Sequence, residues 1–231
     1  MSDGIARVVV VVPARDEEEQ ITDCVQALGR ACAELRGEVE ASVVVVANRC
    51  SDRTVQHALL AGAQVLVSDA ANVGAARHEG ALWAIETSPT DLPSGCLWIA
   101  FTDADSIVAP TWLRSQVVAA ARGADAFLGT IMLGLDGRRA HPRWAAEYLR
   151  AAALGDHHGH VHGANMGVRA STYQATGGFD PVAVHEDRRF VATLSARGAR
   201  LAWVETEPVR TSARHDARAP AGVAFDLQRS G

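Results

Sequence analysis

Unbroken runs of apolar residues mark the first half of the chain. They occur over residues 8–12, 43–46 and 97–101, and residues 64–67 supply a further candidate strand. Strands that are covered on both faces in a parallel sheet have this continuous pattern, whereas a strand with one solvated face alternates. We therefore predict four buried strands in the first half of the chain.

Helical patterns separate the predicted strands. Apolar residues recur at helical spacing over residues 21–35, Ser51 or Asp52 is suited to cap a second helix, and residues 73–86 have the pattern of a third. This alternation predicts an α/β fold with a mostly parallel central sheet and helices on both faces. Sheets of this Rossmann-like type bind ligands at the carboxyl ends of their strands.

The second half of the chain is less regular. The predicted elements are a helix beginning at Pro110, a helix over residues 141–154, a helix over residues 188–196 and a strand over residues 199–204. Residues 156–187 are rich in Gly and His, which is typical of loops around a site. Residues 216–231 are predicted to form a tail or a flap. Because no linker divides the sequence, we predict a single domain over residues 1–231.

The composition excludes several classes of protein. The net charge is −5, and all 22 basic residues are arginine, so the chain contains no lysine. A Walker A loop, a Schiff-base lysine and a hydrolase of the Ser-x-x-Lys type all require lysine and are excluded. The acidic balance also argues against a general nucleic-acid-binding protein.

Apolar run lengths and cysteine spacing predict where the protein works. No stretch approaches the 18 apolar residues of a transmembrane helix, and no N-terminal run is long enough for a signal peptide. The four cysteines include no Cys-x-x-Cys pair, which favours a reducing compartment. We therefore expect a cytoplasmic protein without a transmembrane segment. Peripheral membrane contact stays open, and a homodimer is the default expectation for its assembly.

Polar residues follow three of the predicted strands. Asp16 lies just beyond the first strand, and Asn48 lies at the end of the second. Asp103-Ala104-Asp105 follows the strand over residues 97–101, and side chains two residues apart in an extended segment point to the same side. Two carboxylates on one side can hold a divalent cation. The sequence therefore predicts a metal site at this edge of the sheet.

Seven short motifs occur in a defined order along residues 6–215. They are PARDEE (13–18), NRCSDRT (48–54), NVGAARHEG (72–80), DADS (103–106), GANM (163–166), GGFD (177–180) and ED (186–187). In this order they resemble the motifs of family 2 of the GT-A nucleotide-sugar glycosyltransferases. The resemblance implies a GT-A fold, with a nucleotide-sugar-binding half over residues 6–106 and an acceptor-binding and catalytic half over residues 107–215.

The resemblance also implies which residues bind the donor, a UDP- or GDP-sugar. Those for the base, ribose and diphosphate are Pro13, Ala14, Asp16, Asn48, Asp103, Ala104 and Asp105. Arg77 has the planar guanidinium that suits a phosphate. Arg214 belongs to a C-terminal segment, with Arg210, Thr211 and Ser212, that could close over the diphosphate. The alternative is a solvated basic stretch.

A divalent cation, Mn or Mg, is the cofactor that the resemblance implies. Asp105 would be its main ligand, with Asp103 beside it, and His215 would supply a third ligand from the C-terminal part of the chain. His185 is the alternative for that third position. The ion would neutralise the charge that develops on the departing diphosphate.

A sugar hydroxyl is a poor nucleophile, so a general base must lie within hydrogen-bonding reach of it. The resemblance gives this role to Asp187 and implies direct displacement with inversion at the anomeric carbon. Glu186 is the alternative base, with Asp187 then only capping the following helix. The residues expected to bind the acceptor are His162, Gly163, Ala164 and Asn165.

Residues 157–162 contain four histidines, and alternation would place His158, His160 and His162 on one side of an extended segment. Such a tract can bind zinc. Because no paired carboxylate or cysteine signature accompanies it, we favour the loop of an acceptor pocket.

Three other functions fit part of the pattern. A nucleotidyltransferase on a similar fold usually needs a glycine-rich loop after the first strand, and residues 13–19 contain no glycine. A non-catalytic nucleotide-sugar-binding protein would not need both the DADS and the ED motifs. A retaining glycosyltransferase would share the donor site without requiring Asp187 as a base.

Overall fold

The structure is a computed structural model that describes residues 4–134, 141, 142, 146, 148, 160–182 and 184–212. Several predictions lie outside the described residues, namely most of the helix over residues 141–154, the first part of the histidine tract, Arg214, His215 and the tail over residues 216–231.

An eight-stranded sheet forms the centre of the fold. Its strands are β1 (Arg7–Ala14), β2 (Glu40–Asn48), β3 (Gln64–Ser68), β4 (Leu97–Phe101), β5 (Ser106–Ile107), β6 (Ala126–Leu133), β7 (Met166–Arg169) and β8 (Leu201–Thr211). Their order across the sheet is β3-β2-β1-β4-β7-β6-β8-β5. The neighbouring pairs β1–β2, β1–β4, β2–β3 and β6–β8 are parallel. β7 runs antiparallel to both of its neighbours, β4 and β6, and β5 runs antiparallel to β8. The prediction of a mostly parallel sheet is confirmed.

Helices cover both faces of the sheet. The helices of the described residues are α1 (Ile21–Ala33), α2 (Thr54–Leu60), α3 (Val73–Glu86), α4 (Trp112–Ala121), α5 (Ala170–Thr176) and α6 (Glu186–Ala196). Within this part of the chain, no helix is both long and apolar enough to cross a membrane. The prediction of one α/β domain with helices on both faces is confirmed.

The five consecutive valines of β1 show why its sequence does not alternate. Val8, Val10 and Val12 pack in the core layer that contains α1, α2 and α4. Val9 and Val11 pack on the opposite face, in the layer that contains α3, α5 and α6. All five side chains are fully buried. A central strand between two helical layers needs an apolar residue at every position.

Gly80 allows α3 to lie close to the sheet. A Cβ atom at this position would lie 2.8 Å from Cγ2 of Val46 on β2, with Val11 on β1 closer still. α3 therefore packs against the carboxyl-terminal halves of β1 and β2. Arg77, about one turn earlier in the helix, lies at the edge where β1, β2 and β4 end.

The structure differs from the predictions in the second half. The octapeptide of β6 was not predicted as a strand, and residues 156–187, predicted as loops, contain both β7 and α5. β8 extends to Thr211, well beyond the predicted strand over residues 199–204. Polar residues such as Glu205 and Glu207 interrupt its apolar pattern. The prediction that Arg210 and Thr211 form a closing segment is wrong, because both are paired within the sheet.

Candidate donor and acceptor site

The loops that follow β1, β2 and β4 meet at one edge of the sheet. β1 lies between β2 and β4, and all three strands run in the same direction. Ala14, Asn48 and Phe101 are the last residues of these strands, so the polar residues that follow them are neighbours. This is the arrangement that the strand pattern predicts for a ligand site in an α/β sheet.

Asn48 places an unsatisfied hydrogen-bond acceptor at this edge. Its side chain is 7% exposed, and its Oδ1 atom is buried with no hydrogen-bond partner. An unsatisfied buried polar atom costs roughly 1–3 kcal/mol. A ligand that brings an N–H or O–H donor to this atom would recover that cost. Pro13 and Ala14 are buried at the neighbouring strand end, so contacts from them to a ligand would come from the backbone.

Asp16 braces the loop after β1 against the loop after β2. Its backbone has a φ of 52°, and its Oδ1 atom accepts hydrogen bonds from the backbone N–H of Ser51 at 2.7 Å and from the Ser51 hydroxyl at 3.1 Å. The hydrogen bond from the Ser51 backbone lowers the pKa of the Asp16 carboxyl below its usual value. Asp16 is thus held as a carboxylate beside Asn48.

Asp16, Cys50 and Asp52 form a group of metal-type ligands, with one ligand atom from each lying within 4.8 Å of the other two. Oδ1 of Asp52, however, accepts hydrogen bonds from the backbone and hydroxyl of Thr54, and its Oδ2 accepts one from the backbone N–H of Glu18. These carboxylates hold two loops together, and we assign this group no metal.

Asp103 and Asp105 lie in a turn rather than in an extended segment. The backbone N–H of Ser106 donates to the carbonyl of Asp103 at 3.1 Å, which closes the turn. The argument from strand alternation is therefore wrong for this pair, although both carboxylates remain at the end of β4. Ala104 between them is 3% exposed, so it can meet a ligand only through its backbone.

Arg77 is buried among carboxylates. Its side chain is 4% exposed, with Nη2 2.5 Å from Oδ1 of Asp103 and Nη1 paired with Oε1 of Glu186. Burial lowers the pKa of Arg77, but the charges of Asp103 and Glu186 outweigh this and raise it above the usual value. Both terminal nitrogens donate to carboxylates, so the structure shows Arg77 as an ion-pair partner, and its contact with a donor phosphate stays a prediction.

The two acidic residues at the start of α6 have different environments. Glu186 is 7% exposed and paired with Arg77, so its carboxylate is not available to a substrate hydroxyl. Asp187 is half-buried, and its Oδ2 atom accepts a hydrogen bond from the backbone N–H of Gly163 at 3.1 Å. Its Oδ1 atom accepts from the backbone N–H of Arg188 at 2.7 Å. Of the two candidate bases, the structure favours Asp187.

The loop over residues 162–165 lies beside Asp187. His162 is half-buried, and its ring stacks on that of His160 with centroids 6.0 Å apart. Tyr148 completes this group, with its ring centroid 4.2 Å from that of His160 and 5.6 Å from that of His162. No motif or apolar pattern pointed to Tyr148, which lies outside the seven motifs. Within the residues that the structure describes, these histidines join no group of three metal-type ligands.

Asn165 supports the fold and does not face a ligand. It is fully buried, and its Nδ2 atom donates to the carbonyls of Thr130 at 2.7 Å and Glu207 at 2.8 Å. Its Oδ1 atom accepts from Nε1 of Trp112 at 2.8 Å. The prediction that Asn165 contacts an acceptor is therefore wrong, because its amide is fully used in linking β6, β8 and α4.

Replacing Asn165 with alanine should lower the free energy of unfolding by about 3 kcal/mol, because Nε1 of Trp112 and two carbonyls lose their partners in the core. Chemical denaturation would measure the change. Asn165→Asp is the matched variant, which keeps the acceptor for Trp112 but loses both donated bonds. Wild-type stability in Asn165→Ala would contradict the structural role.

The donor set at Asp103 and Asp105 suits a divalent cation. Carboxylate oxygens are the ligands that Mg²⁺ and Mn²⁺ prefer. Carboxylates outnumber the positive charge of Arg77 here, because Glu186 and Asp187 lie close by, and a bound cation would offset this excess. Over the described ranges, no third Asp, Glu, His or Cys groups with Asp103 and Asp105. A further ligand would therefore come from water, from the substrate or from residues outside those ranges.

The class of protein follows from the sheet order and from the carboxylate-lined edge: an α/β protein of the GT-A type. The chain belongs to glycosyl transferase family 2, whose profile matches residues 9–177. No curated protein matches the sequence significantly.

Solved structures share the fold at low sequence identity. TarS 1-349 from S. aureus, in complex with UDP-GlcNAc, superposes with a TM-score of 0.65 at 15% identity over 96% of this chain. Glucosyl-3-phosphoglycerate synthase from Mycobacterium tuberculosis, in complex with Mn²⁺, UDP-glucose and phosphoglyceric acid, gives a TM-score of 0.59 at 20% identity over 90% of this chain. The chain covers 64% of the TarS structure and 73% of the synthase structure.

Proposed function

We propose that this protein transfers a sugar from a UDP-sugar to an acceptor hydroxyl with the help of a divalent cation. One observation carries the proposal: the guanidinium of Arg77 holds Asp103 of the DADS motif and Glu186 of the ED motif at the same point. Asp103, which is suited to bind the metal and diphosphate, thus lies at the same site as Glu186, the neighbour of the candidate base Asp187. A transfer reaction requires this proximity of donor site and base.

The nucleoside would bind at the ends of β1 and β2. Oδ1 of Asn48 is a buried acceptor that can take the N3–H of uracil, and Asp16 lies on the adjoining loop. Guanine presents an equivalent N1–H group, so the pocket chemistry alone does not separate UDP from GDP. We choose UDP because the similar GT-A structures were crystallised with UDP or UDP-sugars.

The cation would be held by Asp105 and Asp103, and it would supply the positive charge that stabilises the departing diphosphate. We propose His215 as a further ligand. Support comes from the end of β8, where the hydroxyl of Thr211 lies 3.4 Å from that of Ser106, directly after Asp105. Four residues can span at most about 14 Å, so a residue four positions beyond Thr211 is within range of this point.

Asp187 would act as the general base. Its Oδ2 atom is oriented by the backbone N–H of Gly163, on the loop where His162 is half-buried and can contact an acceptor. A carboxylate that removes the hydroxyl proton as the oxygen attacks permits direct displacement, which inverts the anomeric carbon. Glu186 would act only as the counter-ion of Arg77.

Release of UDP from UDP-glucose and UDP-GlcNAc, with water as the nucleophile, tests this function before the acceptor is known. We expect release in Mn²⁺ that stops in EDTA. Proton NMR of the first sugar formed should show the β-anomer from the α-linked donor, because displacement inverts the centre. An initial α-anomer would overturn the inverting mechanism, and equal release in EDTA would overturn the role of the metal.

A further inference from the structure

Arg77 connects the two halves of the site. It projects from α3 with only 4% of its side chain exposed, and its two terminal nitrogens point to different partners. Nη2 donates to Oδ1 of Asp103 after β4, whereas Nη1 donates to Oε1 of Glu186 at the start of α6. One planar group thus bridges the turn on the donor side and the helix on the acceptor side.

The same guanidinium supports the loop that holds Asp187. A Cβ atom at Gly163 would lie 2.5 Å from Cζ of Arg77 and 2.6 Å from its Nη2, so the loop backbone lies directly against the guanidinium. The N–H of Gly163 then donates to Oδ2 of Asp187 at 3.1 Å. A side chain at this position would force either the loop or the guanidinium to shift.

Close packing between α3 and α6 makes this connection rigid. A Cβ atom at Gly74 would lie 2.9 Å from both Cβ and Cγ of Glu186 and 3.0 Å from the carbonyl oxygen of Asp180. The ring of Phe179 lies 6.0 Å from Cζ of Arg77, close enough for a cation–π contact. The guanidinium therefore has little freedom to turn toward another ligand.

A phosphate is a poor alternative partner for Arg77. Any turn of the guanidinium toward one would break its contact with Asp103 or Glu186, and Glu186 would then be a buried charge without its counter-ion. Breaking a buried pair in this way costs roughly 3–5 kcal/mol. The remaining nitrogen, Nε, is buried without a hydrogen-bond partner, so it is a donor that a phosphate could still take, and the affinity measured in EDTA tests for that contact.

We propose that Arg77 is a positioning residue that sets the donor carboxylate Asp103 and the base Asp187 relative to each other, without contacting the diphosphate. The roles of Asp103 and Asp187 in this statement rest on the proposed function. By taking Oδ1 of Asp103, Arg77 leaves the other oxygen of that carboxylate, on a side chain that is 35% exposed, for the metal and donor. By supporting Gly163 and Glu186, it fixes the acceptor side.

Lysine cannot replace arginine in this role. The guanidinium offers separate nitrogens in a fixed plane, so it holds two carboxylates at once, whereas an ammonium is a single point charge on a flexible chain. Arg77→Lys keeps the positive charge but can orient only one of Asp103 and Glu186. It therefore separates positioning from charge.

UDP affinity measured in Mn²⁺ and in EDTA tests the proposal. Positioning of Asp103 acts through the metal, so Arg77→Lys should lose about tenfold of the gain in affinity that Mn²⁺ provides, as for other residues that orient metal ligands. In EDTA its affinity should stay within about twofold of wild type, because no phosphate contact is lost. If Arg77→Lys lost as much UDP affinity in EDTA as in Mn²⁺, the proposal would be overturned in favour of a phosphate contact. If its gain in UDP affinity from Mn²⁺ equalled that of wild type, the proposal would be overturned outright.

Arg169→Lys is the matched control. Arg169 is also buried, and its two terminal nitrogens donate to the carbonyls of Gly95 and Ala120 at the far end of β4. This variant should lose stability to a similar degree while keeping the gain from Mn²⁺. Thermal unfolding of both variants shows whether they are folded at the assay temperature.

The double variant Arg77→Met with Glu186→Gln separates positioning from the need for a counter-ion. Neutralising both partners removes the unpaired buried charge, so the double variant should be more stable than Arg77→Met alone. The gain in UDP affinity from Mn²⁺ and the rate of UDP release should nevertheless stay low. Recovery of both to wild-type values would overturn the proposal. Absence of any gain from Mn²⁺ in the wild-type protein would instead overturn the proposed function itself.

Discussion

Asp187→Asn is expected to lower the rate of UDP release from UDP-glucose by about 10²- to 10⁴-fold, the usual contribution of a general base. Asparagine has the same shape and can still accept the hydrogen bond that the N–H of Gly163 gives to Oδ2. It cannot accept the proton of the attacking hydroxyl or water. The structure around the base is therefore retained while its chemistry is lost.

Unlike the rate, the affinity for UDP should be nearly unchanged in Asp187→Asn. Asp187 lies on the acceptor side and no donor contact is assigned to it, so the dissociation constant of UDP with Mn²⁺ should stay within about twofold. Asp180→Asn is the control variant, because Asp180 also lies near the start of α6 but is exposed and, among the described residues, forms its ion pair with exposed Arg189. Turnover within about threefold of wild type in Asp187→Asn would contradict its role as base.

Asp105→Asn is expected to remove most of the gain in UDP affinity that Mn²⁺ provides, a loss of at least about 10- to 100-fold. An amide is a weaker ligand for a hard cation than a carboxylate, and the negative charge in the turn after β4 is reduced at the same time. Turnover should fall with the affinity, because the charge on the leaving diphosphate is no longer neutralised.

Calorimetric titration with UDP in Mn²⁺ and in EDTA measures this effect. In EDTA the Asp105→Asn variant should bind UDP as the wild type does, since Asn48 and Asp16 are unchanged. Asp91→Asn is the matched control, because Asp91 is exposed on the loop before β4, at the opposite end of that strand. A full gain from Mn²⁺ in Asp105→Asn would show that the cation binds elsewhere.

The first half of the fold could be predicted from the sequence because local pattern and tertiary environment agree there. The apolar run over residues 97–101 coincides with β4, and the helical pattern over residues 73–86 coincides with α3. All five residues of β4 are buried, as its unbroken apolar run indicates. The meeting of the loops after β1, β2 and β4 then follows from strand direction alone.

The burial of Arg77 was missed, although its helix carries a signal. Gly74, Arg77, Gly80 and Ala84 recur at helical spacing, and all four are buried. In this fold, the arginine on that face of small residues is the partner of two carboxylates. Sequence spacing could not identify its partners, because Asp103 and Glu186 lie on other elements, far along the chain.

Asn165 shows a limit of motif reasoning. Its place in the GANM motif suggested a contact with the acceptor, but its amide binds the carbonyls of Thr130 and Glu207. These carbonyls come from β6 and β8, which meet in a sheet order that local sequence does not contain. A polar residue in a functional motif can therefore serve the scaffold that positions the motif.

The most direct test of this account is calorimetric titration of the wild-type protein with UDP and with GDP, each in Mn²⁺ and in EDTA. The account predicts that UDP binds more tightly in Mn²⁺ than in EDTA and more tightly than GDP does. Failure of both nucleotides to bind, or binding that is indifferent to Mn²⁺, would contradict a metal-dependent UDP-sugar site at Asn48, Asp103 and Asp105.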